Sequence, residues 1–456
     1  MTRLSSALTK FCWSAIGGAP GAADEVIFRG SGGLASPFAV TDVASAAIAT
    51  AALSVTEFLR EAHGVRASIV VDRRLTSLWF AASLRPIGWH LPPWDPLAGD
   101  YPTRDGWIRL HTNAPAHRAA AERVLGATGD RTALARAVAR WSKRDLEEAV
   151  VEAGGCAAEM RSMAEWQQHP QGRAVATEPL AHLARLDSAA PRHWSFSVAR
   201  PLQGLRVLDL TRVLAGPVAS RFLAGYGAEV LRIDPPDWDE PSIVPEVTLG
   251  KNCARLDLHE RGARATFEDL LSGADVLLHG YRPGALDRLG YDAETRRRLS
   301  PGLIDVTLDA YGWSGPWATR RGFDSLVQMS TGIADCGMKR ASAEKPIPLP
   351  VQALDHATGY LMAATAIRGV TGRLTHGSSS TPRLSLARTA KLVVDHPADP
   401  EEAPFAREAD SDRSPRIELT DWGNAQRLVA PVQISNAPLQ WDFPARNLGS
   451  GAPRWA

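Results

Sequence analysis

The chain has 456 residues, a length that predicts two or three domains with well-developed hydrophobic cores. Hydrophobic residues make up 45% of it and charged residues 22%, which is typical of a globular protein. The formal net charge is +1, and basic and acidic residues are interspersed, so no nucleic acid or membrane surface is predicted as a partner. Any anionic ligand must be bound by local geometry.

The sequence gives no sign of export or membrane insertion. The N-terminus lacks the apolar run of a signal peptide, and nowhere do about 18 apolar residues follow one another. The apolar stretch 44–55 is predicted to be a buried helix. The four cysteines lie far apart without metal-ligand spacing, which predicts reduced thiols and a cytoplasmic location.

The N-terminal part is predicted to have little regular structure at its start. Residues 1–37 are rich in Gly and Ala, and we expect one short helix there at most. A helix–strand unit follows over 38–80, and the proline-rich segment 90–103 is predicted to be a connector.

A compact α+β segment follows this connector. GWIRLHT alternates like a strand, with Trp107, Arg109 and His111 on one face. We predict a helix ending at Gly126 and another with Ser142 as its N-cap. Residues 188–204 are predicted to be a second linker.

From Gly204 onward, short apolar runs alternate with helical segments. The runs are LRVLDL, EVLRID, DVLLHG and LIDVTLDAYG. This alternation predicts a doubly wound parallel sheet. The first strand is followed by TRVLAGP, which has neither GxGxxG nor GxxxxGK[ST], so NAD and ATP are not expected as ligands.

Part of the chain occurs twice. Residues 38–80 resemble residues 351–393, with Asp42 falling on Asp355 and, after a four-residue gap, Arg66 on Arg383. Each copy is an aspartate opening an Ala-rich helix, then a turn and a short strand. The long period excludes a solenoid and indicates a gene rearrangement around an enzyme core.

Five motifs occur in order between residues 203 and 375. They are GLRVLDLTRVLAGPVASRFLAGYGAEVLRIDPP, GKNCARLDL, ADVLLHGYRPGALDRLGYD, LDAYGWSGPWATRRGFDSLVQMSTGI and ALDHATGYLMAATAI. Together they resemble the family III CoA-transferases, the CaiB/BaiF family. The N-terminal part and the C-terminal tail also resemble this family, but out of order. The pattern is similar to a tandem duplication that lost the first large domain and the second small domain.

The resemblance implies a Rossmann-like large domain plus a smaller α+β domain, an α/β fold class with a doubly wound parallel sheet. The predicted division is an N-terminal segment with the duplicated unit, a small α+β domain, a large CoA-binding domain, and an acidic linker with the C-terminal tail. Their ranges are 1–92, 93–195, 200–395 and 396–456.

The resemblance also implies a reaction, the transfer of CoA from an acyl-CoA thioester to a free carboxylic acid. It would pass through an aspartyl anhydride and an aspartyl-CoA thioester. Coenzyme A would be substrate and product, with no tightly bound cofactor and no metal, and an interlocked homodimer is expected. Asp355 matches the nucleophile; a helix N-cap is its other possible role, and the two can coexist. Asp42, whose helix lacks a counterpart of Gly359, is interpreted as an N-cap relic, with a second nucleophile as the alternative role.

The CoA contacts implied by the resemblance come mainly from strand-end loops. They are Leu214, Ala215, Leu256, Asp257, Leu258, His259, Gly280, Tyr281, Arg282, Arg288, Arg321 and Asp324. A guanidinium can bind a phosphate through two hydrogen bonds, although Arg288 could equally be a solvated helix residue. Leu214 and Pro235 differ from the glutamine and arginine of some members.

Two other functions stay open. The family contains 2-methylacyl-CoA racemases, which need a second proton carrier and have His directly before the Asp of GxD. Here Phe323 precedes Asp324, and phenylalanine cannot transfer a proton, so this activity is disfavoured. His356 could substitute, or could be a capping or exposed histidine. The third possibility is a non-catalytic CoA-binding subunit.

Overall fold

The structure is a computed structural model that describes residues 2–127, 129–186 and 194–456. The predicted linker 188–204 lies partly outside the described residues. The helices are α1 (Thr2–Ala15), α2 (Val40–His63), α3 (Arg73–Ala81), α4 (Pro115–Leu125), α5 (Arg131–Val138), α6 (Lys143–Glu152), α7 (Met163–Gln168), α8 (Pro170–Thr177), α9 (Ala215–Gly225), α10 (Val244–Val247), α11 (Arg261–Gly273), α12 (Ala285–Arg288), α13 (Ala293–Leu299), α14 (Asp324–Ser330), α15 (Ile333–Arg340), α16 (Ala353–His376) and α17 (Leu386–Val394).

Four sheets accompany these helices. Their strands are β1 (Val26–Arg29), β2 (Ile69–Asp72), β3 (Leu84–Pro86), β4 (Gly99–Thr103), β5 (Gly106–Leu110), β6 (Ala157–Glu159), β7 (Arg185–Leu186), β8 (Arg206–Asp209), β9 (Glu229–Asp234), β10 (Lys251–Arg255), β11 (Val276–His279), β12 (Ile304–Asp309), β13 (Ser379–Ser380), β14 (Arg383–Ser385), β15 (Arg413–Thr420), β16 (Gly423–Leu428) and β17 (Val432–Ile434).

The large domain contains the predicted doubly wound sheet. Its strand order is β10-β9-β8-β11-β12-β13-β7, and β14 also pairs with β12. Every pair is parallel except β13 with β7. The α/β fold class is therefore confirmed. The chain order reverses between β8 and β11, which is where open α/β sheets form a ligand crevice at the carboxyl ends of their strands.

A buried ion pair holds the loop after β8 in place. The Asp209 carboxylate lies 3.1 Å from Lys251 Nζ, and neither side chain is exposed to solvent. Asp209 also accepts a hydrogen bond from the Thr211 N–H at 2.9 Å and one from the Ser220 hydroxyl of α9. A buried charge is stable only when paired and hydrogen-bonded, so these contacts connect β8, α9 and β10 rigidly.

The small domain follows the predicted α+β pattern. Strands β4, β5 and β6 form an antiparallel sheet, which packs with α4, α5 and α6 around a hydrophobic cluster of its own. The Ser142 hydroxyl accepts the Asp145 N–H at 3.1 Å, as expected of an N-cap. Gly126 ends α4 in the left-handed conformation, also as predicted.

The start of the chain is more regular than expected. Helix α1 has 14 residues and β1 pairs with β2. Leu8, Cys12 and Ile16 are buried, and their spacing of four residues places them on one helical face. The expectation of a largely irregular segment was wrong because burial of this face, and not local propensity, stabilises the helix. The four cysteines are unpaired, as predicted.

The duplicated unit is confirmed as a structural repeat, but without a gap. Helices α2 and α16 both have 24 residues, and α3 and α17 both have nine. Each boundary in the second copy lies 313 residues after its counterpart, so Asp72 corresponds to Ser385 and both cap the following helix. The four-residue gap was wrong because matching of side-chain types missed this shared capping role.

A hydrogen bond is also shared between the copies. Ser45 Oγ lies 3.0 Å from Thr76 Oγ1 in the first copy. Thr358 Oγ1 lies 2.7 Å from Thr389 Oγ1 in the second. Each residue of the second pair lies 313 residues after its counterpart in the first pair. The short helix therefore docks on the long helix in the same way in both copies.

Helices α2 and α16 pack against each other. Among the described residues, α2 is the one helix long and apolar enough to cross a bilayer, yet 89% of that window is buried inside the protein. A helix that is apolar all round is buried on all sides in a large core. The interpretation of 44–55 as part of a buried helix is confirmed.

A buried carboxylate connects the N-terminal segment to the large domain. Glu246 of α10 accepts hydrogen bonds from the Ser83 and Leu84 N–H groups at 3.1 and 2.9 Å. It also pairs with Arg221 and Arg427, the latter at 3.4 Å. Burial acts to raise the pKa of Glu246, but the two guanidinium groups hold it at about 2.

We expect Glu246→Ala to lower the unfolding free energy by about 3–5 kcal/mol, because two buried guanidinium groups would lose their partner. Urea unfolding at pH 7 measures this change. Glu148→Ala is a matched control, since Glu148 forms an exposed pair with Arg144, and its effect should stay within about 0.5 kcal/mol. Equal effects of the two variants would contradict the role assigned to Glu246.

Candidate active site

Asp355 lies in the first turn of α16, with 6% of its surface exposed. The N-cap of α16 is Gln352 and that of α2 is Ala39, and neither side chain makes a capping bond. The N-cap role considered for Asp355 and Asp42 was therefore wrong. Each aspartate is instead the third residue of its helix.

Two cavities meet at Asp355. The first, named the basic cavity, measures about 410 Å³ and lies at the crevice between β8 and β11. Its lining includes Arg212, Leu214, Ala215, Gly280, Tyr281, Arg282, Arg288, Arg320, Arg321 and Leu386. The second, named the small-domain cavity, measures about 430 Å³ and includes Trp94, Arg109, His111 and Asn113. Both are also lined by Val213, Trp238, Phe323 and Asp355.

The head of α16 is held by a second aspartate. Asp324 Oδ2 accepts the N–H groups of Leu354 and Asp355 at 2.9 and 3.0 Å. Its other oxygen accepts from the Gln328 amide, and Gln328 Oε1 accepts the Leu349 N–H at 2.7 Å. Free N–H groups of a buried helix start need such acceptors. Asp324 therefore fixes the backbone that carries Asp355.

The two aspartates also act on each other electrostatically. Burial raises the pKa of Asp355 well above its usual range, and the nearby Asp324 raises it further. Burial likewise raises the pKa of Asp324 to about 6, although its hydrogen bonds act in the opposite direction. Two carboxyl groups sharing a buried site resist simultaneous ionisation. Asp355 is thus a basic, proton-binding carboxyl group.

Three exposed arginines line the basic cavity, namely Arg282, Arg288 and Arg321. The pKa of Arg282 is lowered, first because Arg321 is close, then through burial and Arg288. The positive charges of these arginines repel one another, and a bound anion would relieve the repulsion. The cavity is therefore suited to phosphate groups.

An arginine stacked between aromatic rings forms part of the same cavity. The Arg212 guanidinium lies 4.5 Å from the ring centroid of Trp238 and 5.0 Å from that of Tyr281. Its Nη2 donates to the Tyr281 hydroxyl at 2.9 Å. These contacts hold the guanidinium against both aromatic side chains at the wall of the cavity.

The backbone after β8 comes unusually close to α16. A Cβ atom on Gly359 would lie 2.3 Å from the Ala215 carbonyl oxygen, so only glycine permits this approach. Val213 has φ 64°, a conformation that is strained for a β-branched residue, and its N–H donates to Glu240 at 2.8 Å. Backbone strain of this kind clusters at functional sites.

The structure brings most of the sequence-predicted residues together. Those lining the basic cavity are Leu214, Ala215, Gly280, Tyr281, Arg282, Arg288, Arg321 and Asp355. Asp324 is buried and lines the small-domain cavity instead. Residues 256–259 follow β10 at the far end of the sheet and are absent from the linings of both cavities. Their contact with CoA stays a prediction.

Sequence reasoning missed several residues of the site. Arg212 was inside a recognised motif but not singled out, and Trp238 lay in a segment without a motif. His111 and His117 come from the small domain, and the His111 ring stacks on Phe323 with 3.7 Å between centroids. The alternation that placed Arg109 and His111 on one strand face was a usable signal, since both line the small-domain cavity.

His356 is neither a capping nor an exposed histidine. It is 2% exposed and its ring stacks on Phe80 at 4.9 Å. Burial lowers its pKa to about 3, with a further contribution from Arg221. The proposed surface or capping position was wrong because α16 is buried on the face that carries this residue.

The fold and the site together define a class of protein, an α/β protein with a basic cavity at the strand-order reversal and a buried carboxyl group at its edge. Residues 202–414 match the sequence profile of CoA-transferase family III. This part of the chain is similar to members of that family.

Relatives of known name match over different lengths. An acyl-CoA transferase of Gibberella moniliformis is 29% identical over 390 residues, covering 81% of this chain and 63% of that protein. A probable fatty acyl-CoA transferase of Mycobacterium tuberculosis is 32% identical over 202 residues, covering 41% and 51%. A crystal structure of the mycobacterial protein has 30% identity and a TM-score of 0.40, covering 43% of this chain and 58% of that one.

The chain therefore spans less than two thirds of the length of either relative. The fungal match is too long to lie within the family profile, so it includes residues before 202. The N-terminal part of this chain is thus shared with at least one named acyl-CoA transferase.

We expect Asp355→Asn to raise the unfolding free energy at pH 8 by about 1–2 kcal/mol. A carboxyl group with a raised folded-state pKa keeps a proton that the unfolded chain loses above about pH 4. The unfolding free energy of the wild type therefore falls as the pH rises from about 4 towards the folded-state pKa of Asp355. An amide side chain does not titrate, so the variant does not lose this free energy.

Urea unfolding of both proteins at pH 5 and pH 8 measures the difference, which should be larger at pH 8. Asp237→Asn is the control, because Asp237 is exposed and its replacement should change neither value. A variant at position 355 that is less stable than the wild type at pH 8 would contradict the electrostatic description.

Proposed function

We propose that this chain transfers coenzyme A from an acyl-CoA thioester to a free carboxylic acid, with Asp355 as the nucleophile. The observation that carries the proposal is the position of Asp355 where the basic cavity meets the small-domain cavity. The similarity of residues 202–414 to CoA-transferase family III and the names of the relatives support the same activity.

The first half-reaction consists of two attacks. The ionised Asp355 carboxylate attacks the thioester carbonyl carbon, the C–S bond breaks, and CoA leaves as a thiolate. The product is a mixed anhydride of Asp355 and the acyl group. The thiolate then attacks the Asp355 carbonyl carbon of this anhydride, which releases the donor acid as a carboxylate and leaves an aspartyl-CoA thioester.

The second half-reaction is the reverse sequence with another acid. The acceptor carboxylate attacks the aspartyl thioester, and CoA thiolate leaves again. Attack of the thiolate on the acceptor carbonyl carbon forms the new acyl-CoA and frees Asp355. No net proton is taken up, so the site needs no general acid for the complete cycle.

The described residues fit these steps. The raised pKa of Asp355 makes its carboxylate a stronger nucleophile once ionised, and Asp324 holds its backbone through two hydrogen bonds. The arginines of the basic cavity suit the phosphates of CoA, and the Arg212–Trp238 stack suits a planar base. The small-domain cavity, on the other side of Asp355, would hold the exchanging acids.

A trapping experiment tests the nucleophile. Incubation with an acyl-CoA and hydroxylamine should convert the Asp355 side chain to a hydroxamate, detected by peptide mass spectrometry. Asp355→Ala should lower transfer at least 10³-fold and abolish the adduct, whereas Asp237→Ala should change neither. Undiminished transfer by the Asp355 variant would refute the mechanism.

A binding experiment tests the basic cavity. Arg288→Ala and Arg321→Ala should each weaken CoA binding about tenfold through loss of a charge-assisted phosphate contact, as measured by calorimetry. The weakening should shrink at high salt. Arg297→Ala, which removes an exposed arginine outside both cavities, should have no effect. Equal affinities for all three variants would exclude this cavity as the CoA site.

One observation favours a second activity, acyl-CoA racemisation. The small domain places His111 and His117 against Phe323, the position where the resemblance predicted a missing proton carrier. Burial lowers their pKa values to about 3 and 4, so both rings are neutral at pH 7 and only weakly basic. Loss of α-deuterium from a 2-methylacyl-CoA without any acceptor acid would support this activity, and retention of the label would exclude it.

The proposal includes the cytoplasmic homodimer expected from the resemblance. The two cavities are lined by residues of this chain. Sedimentation velocity together with active-site titration would establish the number of chains and of working sites. CoA binding without turnover of any acid would instead favour the non-catalytic subunit.

A further inference from the structure

Because the two-helix unit is repeated, the residues around Asp42 can be compared position by position with those around Asp355. Asp42 and Asp355 are both the third residue of a 24-residue helix. Arg73 and Leu386 are both the first residue of the nine-residue helix that docks on it. Because the 45–76 and 358–389 hydrogen bonds show the same docking in both copies, Leu386 occupies the place of Arg73.

In the first copy, Arg73 neutralises the aspartate. Its Nη2 lies 3.0 Å from Asp42 Oδ1, and the guanidinium is fully buried. Ser5 of α1 donates to the same Asp42 oxygen at 2.5 Å. Arg73 also pairs with Glu402 at 3.0 Å and donates to the Gly32 carbonyl oxygen at 3.4 Å. Asp42 is thus enclosed by protein groups.

In the second copy, an apolar side chain replaces this cation. Leu386 lines the basic cavity together with Asp355. The position that Arg73 holds in the first copy therefore borders a cavity in the second.

We infer that Arg73 converts the first copy into a closed, purely structural site, and that Leu386 is the positioning residue that leaves Asp355 unpaired for reaction. The inference rests on the proposed function for the role of Asp355, but not for the pairing of Asp42. It attributes the different surroundings of the two aspartates to a single pair of equivalent residues, Arg73 and Leu386. A carboxylate held by a buried guanidinium is both less nucleophilic and sterically covered.

The decisive variant is Leu386→Arg, which should pair with Asp355 as Arg73 pairs with Asp42. We expect at least a 100-fold loss of transfer and loss of the hydroxylamine adduct. Val394→Arg adds the same charge at the other, partly exposed end of α17, and should retain transfer. Full activity of Leu386→Arg would overturn the inference.

A double-mutant cycle separates pairing from mere disruption of folding. Leu386→Arg should raise the unfolding equilibrium constant at least tenfold more in the Asp355→Asn background than beside the native carboxylate, because only the carboxylate can pair with the new guanidinium. Val394→Arg should show no such coupling. Absence of coupling at position 386 would overturn the inference whatever the activity.

The first copy supplies an independent measurement. Arg73→Leu should lower the melting temperature by several degrees, since Asp42 and Glu402 would lose their buried partner, and Asp42→Leu in that background should restore part of the loss. No recovery would overturn the closed-site assignment. Neither stability experiment requires turnover, so a failure of the proposed transferase activity is distinguishable from a failure of this inference.

Discussion

The structure depends on how the head of α16 is satisfied while buried. Helix α16 is enclosed by α2, α9 and β12, so its free N–H groups cannot reach water and need protein acceptors. Asp324 supplies them for Leu354 and Asp355, and in doing so places a second carboxyl group beside the first. One arrangement therefore fixes the backbone and, in addition to burial, raises the pKa of Asp355.

The duplication shows how one unit can serve two purposes. Both copies keep the long helix, the docked nine-residue helix and the hydroxyl pair between them, and these features provide core packing. The copies differ around the aspartate, where Arg73 makes an ion pair and Leu386 borders a cavity. A buried ion pair stabilises one arrangement of its neighbours, whereas an unpaired buried carboxyl group costs stability and gains reactivity.

Much of the large domain could be predicted because its signals are local. LRVLDL and EVLRID are apolar runs that only a buried parallel strand explains, and they became β8 and β9. Asp355 was recognisable from its motif. The cap made by Asp324, the stacking of Arg212 on Trp238 and the approach of His111 to Phe323 involve residues far apart in sequence, and no periodicity encodes such pairs.

The sequence by itself determined the α/β fold class, the existence of a repeat and the place of Asp355 at the start of the long helix in the second copy. These follow from side-chain periodicity and motif order, which are properties of neighbouring residues. Only the tertiary structure decided the register of the repeat, the closure of Asp42 by Arg73 and the meeting of the two cavities at Asp355. These depend on which buried surfaces pack together, and packing brings into contact residues that the chain separates by tens or hundreds of positions.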